Sequence, residues 1–200
     1  MAYILQVICL IDTLVFVGGG LLLVIGLFLA VTYNSLIGLR MRVDNAWAQI
    51  DVQLKRRANL IPNLIETVKG YARFEKKVLT DVTKARTAIM GAKTPAQAAE
   101  GENMLAGALK TIFAVAESYP TLKASENFKS LQEEFATTEN KIAYARQFYN
   151  DSTMKFNTAI VQFPGNIVAG LFGLNHSKEY FEVKDESVRA VPKADFSDLA

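Results

Sequence analysis

Two clusters in this chain carry the residue types of acid–base chemistry: Asp51 with Arg56 and Arg57, and Glu139 with Lys141 and Arg146. Carboxylates beside fixed cations could move a proton or hold an anion. Helical charge pairs at short spacing are abundant, however, and structural ion pairing is the simpler reading of both. Cys9 and His176 are each the sole residue of their type. A disulfide framework, a Cys/His zinc site and a Cys/His catalytic pair all need at least two such residues, and this pair stands at opposite ends of the chain, so those chemistries are excluded within one chain. Gly18-Gly19-Gly20 resembles a phosphate loop in composition only. The expectation is a non-enzymatic protein with no catalytic residue, no metal and no cofactor.

The glycines fall inside a different kind of element. Between Asp12 and Arg40 lie 27 residues without a charge, and residues 13–33 read TLVFVGGGLLLVIGLFLAVTY. At about 1.5 Å per residue this 21-residue core reaches roughly 31 Å, close to the ~30 Å of bilayer hydrocarbon. It reads as a single membrane-spanning helix with the lipid bilayer as its partner. A cleaved signal peptide is the poorer reading, because no Lys or Arg precedes the run, the run is too long, and no small-x-small site closes it. Arg40 and Arg42 follow the span while its N-terminal flank has no basic residue, which places the body in the cytoplasm and residues 1–12 outside. Gly19 and Gly26, one heptad apart, with Ala30 completing a small-xxx-small pattern, offer a face for helix association in lipid.

Charge is distributed unevenly. Residues 35–90 hold 11 Lys/Arg against 5 Asp/Glu, and residues 91–200 hold 11 against 14. Opposite-sign surfaces on neighbouring helices of one folded domain account for this. An anionic partner for the basic half is the sharper alternative, but Lys55-Arg56-Arg57 begins about 32 Å along an upright helix from Asn34, several Debye lengths from the headgroups. Nucleic acid is not expected as a partner: the basic residues are dispersed, and no zinc finger, recognition helix or aromatic-basic sheet pattern is present.

The body reads as all-α. Positions 43, 47, 50, 54, 57, 61, 64, 68, 71, 75, 78, 82, 85 and 89 form an apolar seam in alternating steps of four and three, broken only by Arg57 and Glu75. This predicts a long helix over about 35–90, kinked near Pro62, where the ring clashes with the carbonyl of Ala58 and the N–H is missing. A turn at Gly91 and AKTPAQ follows, with Thr94 as cap and Pro95 in the first helical position, then a helix over about 95–117 with Met104, Leu105, Leu109, Ile112, Phe113 and Val115 on its face. A third helix, about 125–163 with Ser125 as cap, carries a second seam at 128, 131, 135, 138, 142, 145, 149, 152, 156, 159 and 163. Residues 164–200 read as a cap and extended tail. The run Ile167–Leu174 is too short to span a membrane, so it is either a cap docked on the bundle, the favoured reading, or an interfacial segment. The fold class is thus one N-terminal transmembrane helix followed by an elongated antiparallel bundle of long helices over 34–163. Arg57 in the first seam and Asn140 near the second are expected to meet in a polar contact that fixes register.

The block DNAWAQIDVQLKRRANLIPNLIETVKGYA, followed by SYPTLKASENFKSLQ, TENKIAYARQFYND and FPGNIVAG, resembles the bacterial LemA family in several separated strings that agree in order and spacing. The matching positions are Tyr33, Asn34, Trp47, Asp51, Gln53, Arg56, Arg57, Pro62, Asn63, Gly70, Glu139, Asn140, Arg146, Tyr149 and Asn150. The resemblance implies one N-terminal membrane helix and a bundle of long helices, with no catalytic residue to carry over. It also implies a neighbourhood that includes integral-membrane zinc metallopeptidases, and a related domain in magnetosome membrane proteins. With that resemblance, the expected function is a non-enzymatic membrane-anchored scaffold or interaction protein that self-associates as a homo-oligomer at the bacterial inner membrane, with an adaptor or regulator of an integral-membrane protease, such as a metallopeptidase, as the alternative.

Overall fold

The computed structural model describes residues 2–71 and 76–182, with the side chains of 2–9, 11, 71 and 76 left aside. Glu75 in the first seam, the side chains of Cys9 and Tyr71, and the tail beyond residue 182 lie outside that description. All regular structure among the described residues is helical: α1 (Ala2–Asn59), α2 (Ile61–Tyr71), α3 (Lys76–Gly91), α4 (Pro95–Ala116), α5 (Pro120–Ala124), α6 (Glu126–Val161) and α7 (Gly165–Leu171). The chain is an all-α bundle of long helices preceded by a long apolar helix.

Local chemistry sets the breaks. Pro62 has no N–H to offer the carbonyl of Ala58, and the chain turns at Leu60, whose N–H bonds the carbonyl of Arg57 at 3.1 Å, before helix resumes at Ile61. Thr94 caps α4 by accepting the Gln97 N–H at 3.2 Å, with Pro95 in the first turn where a missing N–H costs nothing. Tyr119-Pro120 closes the region after α4, and the carbonyl of Ser125 accepts the Lys129 N–H at 3.1 Å at the start of α6.

The described chain divides into two compact units. One holds Ala46–Asn150 with the residues from Glu179. Its core is the first seam, Ile50, Leu54, Ala58, Ile61, Leu64 and Val68, continued by Val82, Ala85 and Ile89 of α3, against Phe128, Leu131, Phe135, Ile142 and Tyr149 of α6. The helices run antiparallel: Trp47 packs on Tyr149, and ten residues further along α1 Arg57 reaches Glu139, ten residues back along α6. The buried stripe of α4 is 98, 102, 105, 109, 112 and 116, so the expected face is corrected: Met104 is exposed and Val115 only half-buried, because the 3.6-residue repeat centres on Leu105 and Leu109.

The other unit holds the chain up to Asn45 and Asp151–Lys178. Leu36 and Val43 of α1 are buried, as are Phe156, Ile160, Val168, Ala169 and Leu174. Asn157 clasps the backbone of Lys178, donating to its carbonyl at 2.9 Å and accepting its N–H at 2.8 Å, while the Lys178 ammonium meets Asp44 at 2.9 Å. The second seam ends earlier than its spacing suggests: Phe163 is 80% exposed, because α6 stops at Val161 and the chain turns through Pro164 into α7.

Two glycines of α4 separate packing from propensity. A Cβ on Gly101 would sit 3.0 Å from both the side chain and the backbone N of Ile89, whereas one on Gly107 meets nothing. Gly101→Ala is therefore expected to lose about 1–3 kcal/mol through overpacking, and Gly107→Ala to gain about 0.5–1 kcal/mol from helix propensity, in urea titrations followed by circular dichroism.

Candidate functional site

The polar residues of the unit built on Ala46–Asn150 gather at two places. At the first, the seam brings Arg57 into the core at the level where α4 presents Glu102. One guanidinium nitrogen bonds Glu102 and the other bonds Glu139 of α6 at 2.7 Å, so a single cation ties three helices together. Arg57 and Glu102 are almost wholly buried, whereas the Glu139 side chain is 60% exposed and anchors the cluster at its wet edge. Arg57 Nε and Glu102 Oε2 are buried without a partner in the protein, so the pair's hydrogen-bonding capacity is not saturated.

Burial is the largest influence on Glu102 and pushes its carboxyl above the ordinary value of 4.5; the nearby charge of Arg57 pulls it down, Glu139 pushes it up and Arg146 pulls it down. The desolvation of the carboxylate thus outweighs its cations. The cluster has the form of a structural ion pair that specifies which helix turns face each other, a job for which a partly satisfied buried pair is suited even where its net contribution to stability is small.

At the second place the chain beyond α6 returns as an extended strap. Asn150 donates to the Phe181 carbonyl at 3.1 Å and accepts the Phe181 N–H at 2.9 Å, and Tyr149 donates its hydroxyl to the Glu179 carbonyl at 2.7 Å. The buried Phe181 ring lies 6.5 Å from Trp47, and Arg146 stands over it at 5.6 Å from the ring centroid, within cation–π range. Side-chain amides here replace the backbone partners that an isolated strap lacks. Tyr180 points outward and is partly exposed.

The expected site residues therefore separate. Arg57 and Glu139 form one group; Trp47, Arg146, Tyr149 and Asn150 form the other. Asn140 is a correction: it is exposed, and its neighbour Glu139 makes the contact with Arg57, because one residue along a helix turns the side chain by about 100°. Asp51 pairs with Lys55 at 2.6 Å rather than with either arginine, four residues on along the same exposed face. Gln53 is half-buried, its Oε1 without a partner, and Arg56 is exposed. Asn34, Pro62, Asn63 and Gly70 are also exposed. In the other unit Tyr33 packs on Phe172 with ring centroids 4.7 Å apart, and Gly19 and Gly26 have open space where a Cβ would be, with Ala30 exposed. Glu102 escaped the sequence reading, although a signal existed: it is the one charged residue in the stripe 98, 102, 105, 109, 112, 116.

Among the described residues no three His, Cys, Asp or Glu side chains are grouped to hold a metal ion. A groove of about 1100 Å³ between α2, α3 and α4 is lined by Ile65, Leu79, Thr83, Ala88 and neighbours, and neither acid–base cluster faces it. Fold and polar clusters together define a helical-bundle protein with, among the described residues, one helix long and apolar enough to cross a membrane, and with a buried arginine that links three helices.

The LemA family matches residues 46–196, and the chain belongs to that family. It is similar to the magnetosome proteins MamQ 1 and MamQ 2 of Paramagnetospirillum magneticum, each 24% identical over 182 residues that cover 78% of this chain and 66% of the relative. It is also similar to the protein LemA of Metamycoplasma hominis, 28% identical over 155 residues, 74% of this chain and 69% of the relative. The chain thus spans just under two thirds of the length of the magnetosome relatives. Neither the family description nor these names carry an enzymatic activity.

Removing one partner of the cluster leaves a buried charge uncompensated. Arg57→Met is expected to cost about 3–5 kcal/mol in urea denaturation, and adding Glu102→Leu to recover most of it, because the double variant buries no lone carboxylate beside the core. The pH dependence is inverted relative to a salt-bridged carboxylate. With its folded-state pKa raised, Glu102 binds more protons in the folded than in the unfolded protein, so its contribution to stability falls as pH rises from about 4.5 through the raised value. The stability of the natural chain minus that of Glu102→Gln, measured from pH 4.5 upward, should decline with pH; a difference that rises with pH would refute the assignment.

Proposed function

We propose that the protein is a non-enzymatic, membrane-anchored scaffold or interaction protein that self-associates at the inner membrane of a bacterial cell. The observation that carries this reading is the bare apolar stretch of α1. Between Leu10 and Val31 thirteen large apolar side chains are 45–81% exposed, and nothing among the described residues covers them. At roughly 1 kcal/mol or more for each half-exposed side chain, leaving them in water costs on the order of 15 kcal/mol, as much as the whole net stability of a typical domain. Lipid removes that cost. Arg40 and Arg42 just beyond the span favour a cytoplasmic body.

Self-association is supported by Gly19, Gly26 and Ala30, which leave open space on the helix where a second helix backbone could approach closely. The non-enzymatic reading is supported by the use of the chemically capable side chains: Asp51 is held by Lys55, and Arg57 by Glu102 and Glu139. Full-length protein in mild detergent should give a defined multi-subunit particle by mass photometry, and the double variant Gly19→Leu/Gly26→Leu should shift it toward monomers. A natural chain that is monomeric throughout overturns self-association and leaves the anchor intact.

A further inference from the structure

We infer that residues 161–172, centred on α7, form a second membrane contact, lying in the headgroup–acyl boundary beside the point where α1 emerges; this rests on the reading of α1 as a membrane anchor. One face of α7 is packed away: Gly165, Val168 and Ala169 are buried, and the backbone at Gly165 approaches Leu36 of α1. The other face is exposed and largely apolar, with Gln162 and Asn166 as its polar side chains. Val161, Phe163, Ile167, Leu171 and Phe172 are 52–80% exposed. A helix turn that merely caps a bundle would carry charged or strongly polar residues there, yet no Lys, Arg, Asp or Glu occurs between Lys155 and Lys178.

Position selects the occupant. Phe172 packs at a tilt against Tyr33, the last residue of the 21-residue apolar core, with ring centroids 4.7 Å apart, and Leu36 lies three residues, about 4.5 Å, further along α1. The bare face is therefore continuous with the end of the span, at the depth where aromatic side chains favour the membrane–water boundary. At seven residues α7 reaches only about 10 Å and cannot cross the bilayer, but a short amphipathic turn fixed to a spanning helix can rest in its surface. Such a contact gives the emerging helix a second point of attachment.

Nitroxide accessibility tests this in the full chain in phosphatidylcholine/phosphatidylglycerol vesicles. With Cys9→Ser removing the sole cysteine, single labels are placed at Leu22→Cys in the span, Phe163→Cys and Leu171→Cys on the bare face, and Asp151→Cys, ten residues or about 15 Å before Val161 on α6. Collision with oxygen should exceed collision with a water-soluble nickel chelate strongly at 22 and more weakly at 163 and 171, and the balance should reverse at 151. Labels at 163 and 171 as nickel-accessible as at 151, with 22 in lipid, overturn the second contact alone. A label at 22 in water overturns the anchor and this inference together. Exclusion of both reagents at 163 and 171, with an immobilised spectrum, places another protein surface on α7 and also overturns it.

Discussion

An apolar seam repeating at alternating steps of three and four residues has to be covered along its whole length, and that requirement governs the bundle. In α1 and α2 it dictates which side turns inward from Val43 to Val68, and in α6 it sets the facing surface from Phe128 to Phe156. Neither seam can be satisfied alone, since isolated long helices gain little from propensity and most of their stability comes from burying such a face. Arg57 is the exception inside the first seam. A guanidinium carried into the core must meet carboxylates there, and Glu102 and Glu139 supply them from two other helices. Burial of apolar surface holds the helices together, and the charge cluster links one turn on each of three helices.

The strap at residues 179–181 follows a related rule with different chemistry. An extended segment with no neighbouring strand needs partners for its backbone, and α6 provides them from side chains: Asn150 to Phe181 and Tyr149 to Glu179. In the other unit Asn157 does the same for Lys178. The placement of Trp47, Arg146, Tyr149 and Asn150 around the strap gives these residues a structural task, docking of the returning chain. Arg57, Glu139, Arg146, Tyr149 and Asn150 are thus occupied by packing, ion pairing and hydrogen bonding.

Much of this was legible without coordinates. The uncharged stretch from 13 to 39 is marked by length and hydropathy alone as able to cross a bilayer. The seams were legible because helical periodicity is a local property of backbone geometry. The break before Pro62 and the cap at Thr94 were readable for the same reason: both act within one turn. Less was legible where one residue of rotation mattered. The reading that paired Arg57 with Asn140 chose the wrong neighbour, and Met104 was assigned inward although it is exposed.

The sequence by itself determined the helical character of the body, most of its inward-facing positions and the apolar span, because each follows from the identity of residues within a few positions of one another. Only the tertiary structure decided the partners. That Glu102 rather than another acid meets Arg57, that Phe181 folds under Trp47 and Arg146, and that Phe163 leaves its seam to stand exposed depend on how helices distant in sequence are brought together. The physical reason is that a helix specifies its own face through local periodicity, whereas the height and rotation at which two faces meet are set jointly by all the side chains between them.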